Sequence, residues 1–188
     1  MELTGEEPMT ETAVPEGLDP NVRHRDVSVE ADAVHLDRMR HEVRIRDLTI
    51  LTDEPESLGG DDEHPYPLDL FSAGVATCVI TQMVRYGHML GARLDKLRVH
   101  VRIDWSSEGS VKAGTIAARC HGMTSRIEVE SPDDPALIAA LIHNAREGCY
   151  AEAAVAEPVE IESSARLNGR PLDLTAYSKR PPRTGASR

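Results

Sequence analysis

The sequence predicts an α+β fold. Three observations carry that prediction. Short alternating apolar segments flank one long uncharged stretch with helical spacing. A second helix announces itself with its own capping residues. No repeating strand–helix–strand unit is present to build a parallel sheet. The order is strands, long helix, strands, helix, strand.

The flanks are set apart by composition. Residues 1–25 are rich in Glu, Pro and Thr and are expected to form an acidic arm without structure of its own. Residues 26–169 form the expected domain. Residues 170–188 turn basic and Pro-rich and are expected to be a tail, with a short docked piece around Leu172 to Tyr177.

The first strands follow from alternation. Val34 and Leu36 alternate within Ala33 to Leu36. In Glu42 to Leu51, Val43 and Ile45 alternate, and the phase then shifts to Leu48 and Ile50. A single strand with a bulge near Asp47 would give that shift. Thr52 to Pro67 holds Pro55, Gly59-Gly60, several acids and Pro65-Tyr66-Pro67, so it reads as a loop.

Leu68 to about Leu90 is the clearest helix, and Gly91 is a natural stop. No charge occurs from Leu70 to Val84, so most of its circumference is expected to be buried. Ser72, Ala73, Gly74, Ala76 and Thr77 allow another backbone to come close. Leu97, Val99, Val101, Ile103 and Trp105 mark a strand with one wet face. Ser106 to Ser110 is a turn, Val111 to His121 a weaker strand and Thr124 to Glu130 a clearer one. Asp133 or Asp134 can cap a helix that begins at Pro135 and runs to about Arg146. Gly148 ends it and Cys149 follows. Val159, Ile161 and Ser163 alternate in a last strand, Pro158 to Leu167.

Composition excludes several functions. The net charge of −11 repels phosphate backbones, so no nucleic-acid partner is expected. Met1 to Asp32 is acidic and lacks the apolar stretch of a signal peptide. No segment reads as a membrane span, so no membrane partner is expected either. These features lead to the expectation of a cytoplasmic protein. The eight histidines show no ligand spacing apart from adjacent Cys120-His121, so no metal is expected. Gly59-Gly60 is followed by acids that would repel a phosphate, and no cofactor is expected.

The three cysteines are Cys78, Cys120 and Cys149. Their odd number argues against a disulfide scaffold. Cys78 lies in mid-helix, where the helix dipole helps little. A buried filler and a nucleophile that draws its cation from elsewhere in the fold are both open readings. Cys149 follows a helix end, where a side chain can swing. Cys120 reads as structural.

Two motifs carry a resemblance. Asp53-Glu54-Pro55, Gly59-Gly60-Asp61-Asp62 and Pro65 through Cys78 form the first. It resembles the "GG-x-D … P-x-x-L-L-x-A-A-x-x-x-C" pattern of the OsmC/Ohr family. Asn144 through Cys149 to Pro158-Val159-Glu160-Ile161 form the second, similar to that family's "A-x-x-x-C-P-V-x-x-x-L-x-x-P-V-E-I" segment. The resemblance covers about Val34 to Leu167. The resemblance implies an intertwined homodimer, with antiparallel sheets around long central helices. It also implies a thiol peroxidase acting on small organic hydroperoxides. Cys78 would become a sulfenic acid, Cys149 would condense with it to a disulfide, and a dithiol, often lipoyl, would restore both.

The chain departs from the pattern in places. The family's Cys-Pro is Cys149-Tyr150 here, followed by Glu152-Ala153-Ala154. The position of the family's acidic partner is occupied by Leu68, and the nearest carboxylate is Asp69. The resemblance draws the activating Arg from an early strand, where Arg38, Arg40 and Arg44 are candidates and Arg40 is preferred. Asp69 serves equally as a first-turn acid. The altered residues also admit a second function, an apolar-ligand-binding protein on the same fold without peroxidase activity.

Overall fold

A computed structural model describes residues 24–157 and 159–174. The arm, apart from its last two residues, and the tail beyond residue 174 lie outside them. The chain divides into two compact units, residues 1–156 and 157–188.

In the first unit, β1 (Asp32–Asp37), β2 (Arg40–Ile45) and β3 (Leu48–Thr52) form an antiparallel three-stranded sheet in that order. The expected bulged strand from Glu42 to Leu51 is therefore two strands. Ile45 pairs with Leu48, so Arg46 and Asp47 form a two-residue turn. Arg46 takes the positive φ of 55° that such a turn needs. The phase shift came from a reversal of direction. Arg38, at φ 44°, does the same in the turn between β1 and β2.

Helix α1 (Pro67–Leu90) follows the loop. It buries Val75, Val79, Met83 and Gly87, one residue per turn along a single stripe. A Cβ at Gly87 would lie in ordinary contact with Leu94 and Leu141, 3.5 and 3.7 Å away. Gly91 ends the helix at φ 68°, its N–H bonded to the Gly87 and His88 carbonyls. By length and mean hydropathy (1.4 over its best window) α1 qualifies as a membrane span, contrary to the sequence expectation. In this fold it packs against β4 and two further helices.

Strands β4 (Lys96–Glu108) and β5 (Ala117–Glu130) form one long hairpin. The weak and clear strands expected between Val111 and Glu130 are thus a single strand. His121 is the extra residue of its bulge, because Asp104 pairs with Gly122 and Trp105 with Cys120. Leu97, Val99, Ile127 and Val129 face the core, as the alternation indicated. Phe71 of α1 meets Trp105 edge-on, with ring centroids 5.8 Å apart.

Helix α2 (Pro135–Glu147) is capped by Asp134, whose carboxylate accepts the Ala136 N–H at 2.7 Å. A third helix, α3 (Tyr150–Ala156), follows after Gly148 and Cys149 and was not anticipated. Val79, Met83, Leu94, Leu141, Ala145 and Cys149 make the buried cluster where these helices meet.

In the second unit, β6 (Ala165–Leu167) and β7 (Arg170–Leu172) form a small hairpin. The expected strand from Pro158 begins only at Ala165. Its partner lies in the segment assigned to the tail. Asn168 (φ 52°) and Gly169 (φ 77°) make the turn, the pair that a two-residue hairpin favours.

Candidate active site

Cys78 sits at the middle of α1, half-buried and at the rim of the apolar stripe. Cys149 is 1% exposed and lies in the corner between α2 and α3. The two thiols meet at the edge of the core. Burial pushes the Cys149 thiol up to about 11; the Glu152 N–H opposes this, and the neighbouring Cys78 side chain adds to it.

The corner has its own architecture. Cys149 acts as the residue before α3, its carbonyl accepting the Ala153 N–H at 3.0 Å. Its sulfur accepts the Glu152 N–H at 3.4 Å, in the manner of a helix cap. Glu152 is buried and pairs through Oε2 with Arg146 Nε at 3.3 Å, while its Oε1 has no partner among the described residues. A side chain on Gly148 would come within 2.2 Å of the Tyr86 hydroxyl, so it would force the Tyr86 side chain of α1 to shift.

On α1, Cys78, Gln82 and Arg85 lie within a narrow sector, since residues four and seven apart share a helix face. Gln82 is 2% exposed, and its Oε1 accepts from Arg85 Nη1 at 3.3 Å. Sequence reasoning missed this pair, although its helical spacing from Cys78 was readable. It also missed Arg146 and Glu152, because α3 was not foreseen.

The other expected site residues lie elsewhere. Arg40 grips Asp37 at 2.6 and 2.8 Å and approaches Glu63 at 3.7 Å. Arg38 binds Asp61 and the carbonyls of Gly59 and Gly60. Arg44 pairs with Glu42 at 2.7 Å. Among the described residues none of the three bonds to a thiol. Asp69 accepts the Tyr66 N–H at 3.1 Å and thereby serves the first turn of α1. It also lines an open cleft of about 470 Å³ together with Leu68, Ser72, Ile103 and Trp105. Cys120 is exposed on β5 and is no part of the core. No cluster of three or more metal-ligating side chains occurs among the described residues.

The loop before α1 is built around one carboxylate. Asp53 is fully buried and accepts N–H groups of Glu54, Asp61 and Glu63 at 2.8, 3.0 and 3.3 Å. Burial alone would raise its pKa, but these three donors outweigh it and hold Asp53 below the usual carboxylate value. A side chain on Gly60 would lie 1.7 Å from the Glu54 carbonyl oxygen. The Asp-Glu-Pro and Gly-Gly motifs thus fold the loop that delivers the chain into α1.

No curated protein matches the chain. Solved structures do. An OsmC-like hydroperoxide resistance protein from Jannaschia sp. CCS1 is 24% identical, with 75% of this chain and 93% of that chain covered and a TM-score of 0.53. An OsmC-like protein from Mycoplasma pneumoniae gives 16% identity, coverage of 70% and 89%, and a TM-score of 0.59. An organic hydroperoxide resistance protein OsmC from Legionella pneumophila gives 19% identity, coverage of 70% and 91%, and a TM-score of 0.54. These likenesses show the fold. The family model for OsmC-like protein matches residues 60–164, a span that takes in both Cys78 and Cys149. With more than half of its length matched, the chain belongs to the OsmC-like protein family.

Proposed function

We propose that this protein is a thiol peroxidase that reduces small organic hydroperoxides. The observation that carries the reading is the meeting of Cys78 and Cys149, distant in sequence, at one edge of the core. The Cys78 thiolate attacks the terminal oxygen of R–O–O–H. An S–O bond forms and the O–O bond breaks. The alkoxide takes a proton and leaves as the alcohol, and Cys78 is left as a sulfenic acid. Cys149 then attacks that sulfur. An S–S bond forms, the S–O bond breaks, and the hydroxide leaves as water with the Cys149 proton. A dithiol of the lipoyl class reduces the disulfide by two exchange steps. The cycle uses no metal or bound cofactor, and it suits a reducing compartment such as the cytoplasm.

The working form we propose is a homodimer, in which a second copy covers apolar surface around the start of α1. Leu68 and Phe71 are 55% and 42% exposed there. Family membership and hydroperoxide-resistance relatives on the same fold support the peroxide substrate.

The test is consumption of cumene hydroperoxide with a dithiol reductant, followed by mass analysis of the oxidised protein. A disulfide between Cys78 and Cys149 is expected, with loss of turnover in Cys78→Ser. Parent-like turnover in Cys78→Ser would end the reading. A second reading, an apolar-ligand-binding protein, draws on the occupation of Arg38, Arg40 and Arg44 by acids. It predicts thiols inert to peroxide and a small apolar molecule that raises the Tm.

A further inference from the structure

Attack on a peroxide places an oxygen on the Cys78 sulfur, and that oxygen needs a donor. We propose that Gln82, its carbonyl held by Arg85, donates its amide N–H to that oxygen. The inference rests on the peroxidase reading above.

Cys78, Gln82 and Arg85 stand at i, i+4 and i+7 on α1, within about 60° of one another around the axis. Helical side chains lean toward the N-terminus. Gln82 therefore leans over the turn that carries Cys78, and Arg85 leans over Gln82. The hydrogen bond from Arg85 Nη1 to Gln82 Oε1, 3.3 Å long, agrees with that order.

Arg is a donor only, so its contact fixes which end of the amide is the oxygen. The other end, Nε2, is then a donor. Among the described residues no hydrogen bond uses it, although Gln82 is 2% exposed. That donor is not one of the buried side-chain atoms left without a partner, so it reaches the edge of the solvent, where an incoming oxygen can take the place of water. Arg85 is half-buried, and among the described residues it has no carboxylate partner. Its charge is therefore available to polarise the amide it holds. An oxygen on the Cys78 sulfur would give Nε2 its acceptor. On the other side of the thiol, i−4 and i−7 are Gly74, where an added Cβ would meet nothing, and Phe71, which is exposed. The helix face is thus polar beyond Cys78 and apolar before it. That polarity suits a hydrocarbon group lying over Gly74, with the reacting oxygens at the Gln82 end.

The step balances as follows. Cys78 is oxidised from thiol to sulfenic acid and the hydroperoxide is reduced to alcohol. The terminal oxygen, with its hydrogen, passes to sulfur. Gln82 is a donor to that oxygen throughout and exchanges no proton. Arg85 is a positioning residue.

The test uses the full chain with Cys120→Ser and Cys149→Ser, so that the Cys78 sulfenic acid persists. Cumene hydroperoxide is added with dimedone, and the labelling rate of Cys78 is followed by mass spectrometry. Gln82→Leu is expected to slow labelling by about tenfold to a hundredfold. Arg85→Met is expected to slow it less, and Arg85→Lys to recover part of that loss. N-ethylmaleimide, which delivers no oxygen, should label Cys78 at the same rate in all of them. An unchanged peroxide rate in Gln82→Leu overturns the proposal, and so does equal slowing with both reagents, which marks a packing role. If maleimide labels Cys78 while dimedone never does with Gln82 intact, the peroxidase reading itself fails and the proposal falls with it.

Discussion

At Cys149 the fold favours the neutral thiol. Burial, with Cys78 adding to it, pushes the group up to about 11 from an ordinary 9.0. A raised folded-state value means that the stabilisation is fully present below pH 9 and is lost as pH rises through about 11. The full loss is about 3 kcal/mol. Urea midpoints should fall between pH 8 and pH 11, and Cys149→Ala should flatten that fall. Asp53 has the opposite sign. Its folded value lies below the ordinary 3.8, so its stabilisation is present above that pH and is lost as pH falls through the folded value. Asp53→Asn should lower the Tm at pH 6 and flatten the acid limb of the Tm curve; an unchanged acid limb would refute the role given to Asp53. Much of the site was legible at this scale. Cys78 and Cys149 stand in motifs that can be read directly, and the structure brings them together. The charged residues were harder to place. Within one chain Arg40, on its early strand, pairs with Asp37 three residues away. Gln82 and Arg85 gain meaning only once the register of α1 is fixed, and nothing local marks them.

Element boundaries depended on turn chemistry. Arg46-Asp47 turns the chain without glycine or asparagine, so the hairpin between β2 and β3 looked like a bulge. Asn168-Gly169 did carry the turn signal, but the basic, Pro-rich composition of the following segment outweighed it. Helix α3 is short and follows Gly148 so closely that the end of α2 masked it. The corner between these helices makes a sharp prediction. Gly148→Ala puts a methyl group 2.2 Å from the Tyr86 hydroxyl and 2.9 Å from two of its ring carbons. The expected cost is about 1–3 kcal/mol. Adding Tyr86→Phe should recover part of it, because the nearest atom is removed while the ring remains. A chemical-denaturation cycle over the four proteins measures this, and strict additivity would show that the two residues do not meet. Close to the same corner, Leu141 is fully buried against α1, and Leu141→Ala should cost about 2–5 kcal/mol.

For the whole molecule, the question is what covers the apolar surface that one copy leaves open. Helix α1 has the hydropathy of a membrane span, yet only 22% of its most apolar window is buried within one chain. Leu68, Phe71 and Trp105 are exposed together near its start, beside the cleft that Asp69 and Ser72 line. Strand β4 pairs only with β5 among the described residues, so its other edge is open to a further strand. Val34, Leu36, Leu48 and Leu51 are exposed on the three-stranded sheet as well. Apolar surface of this extent is characteristic of an interface. The second copy proposed above would account for all of these features at once, because it would bring the same apolar surface to meet itself. A membrane would cover the helix but would leave the open strand edge unpaired. Burying one large apolar side chain contributes about 1.5–3 kcal/mol, and a twofold axis counts each contact twice. Phe71→Asp should therefore turn a dimer into a monomer in sedimentation at tens of micromolar. The same change should lower the Tm, and it should leave the β4–β5 hairpin, whose ladder is internal to one chain, protected in hydrogen exchange. A parent protein that sediments as a 20.6 kDa monomer would remove the dimer. The apolar start of α1 would then be left as a surface for some other partner.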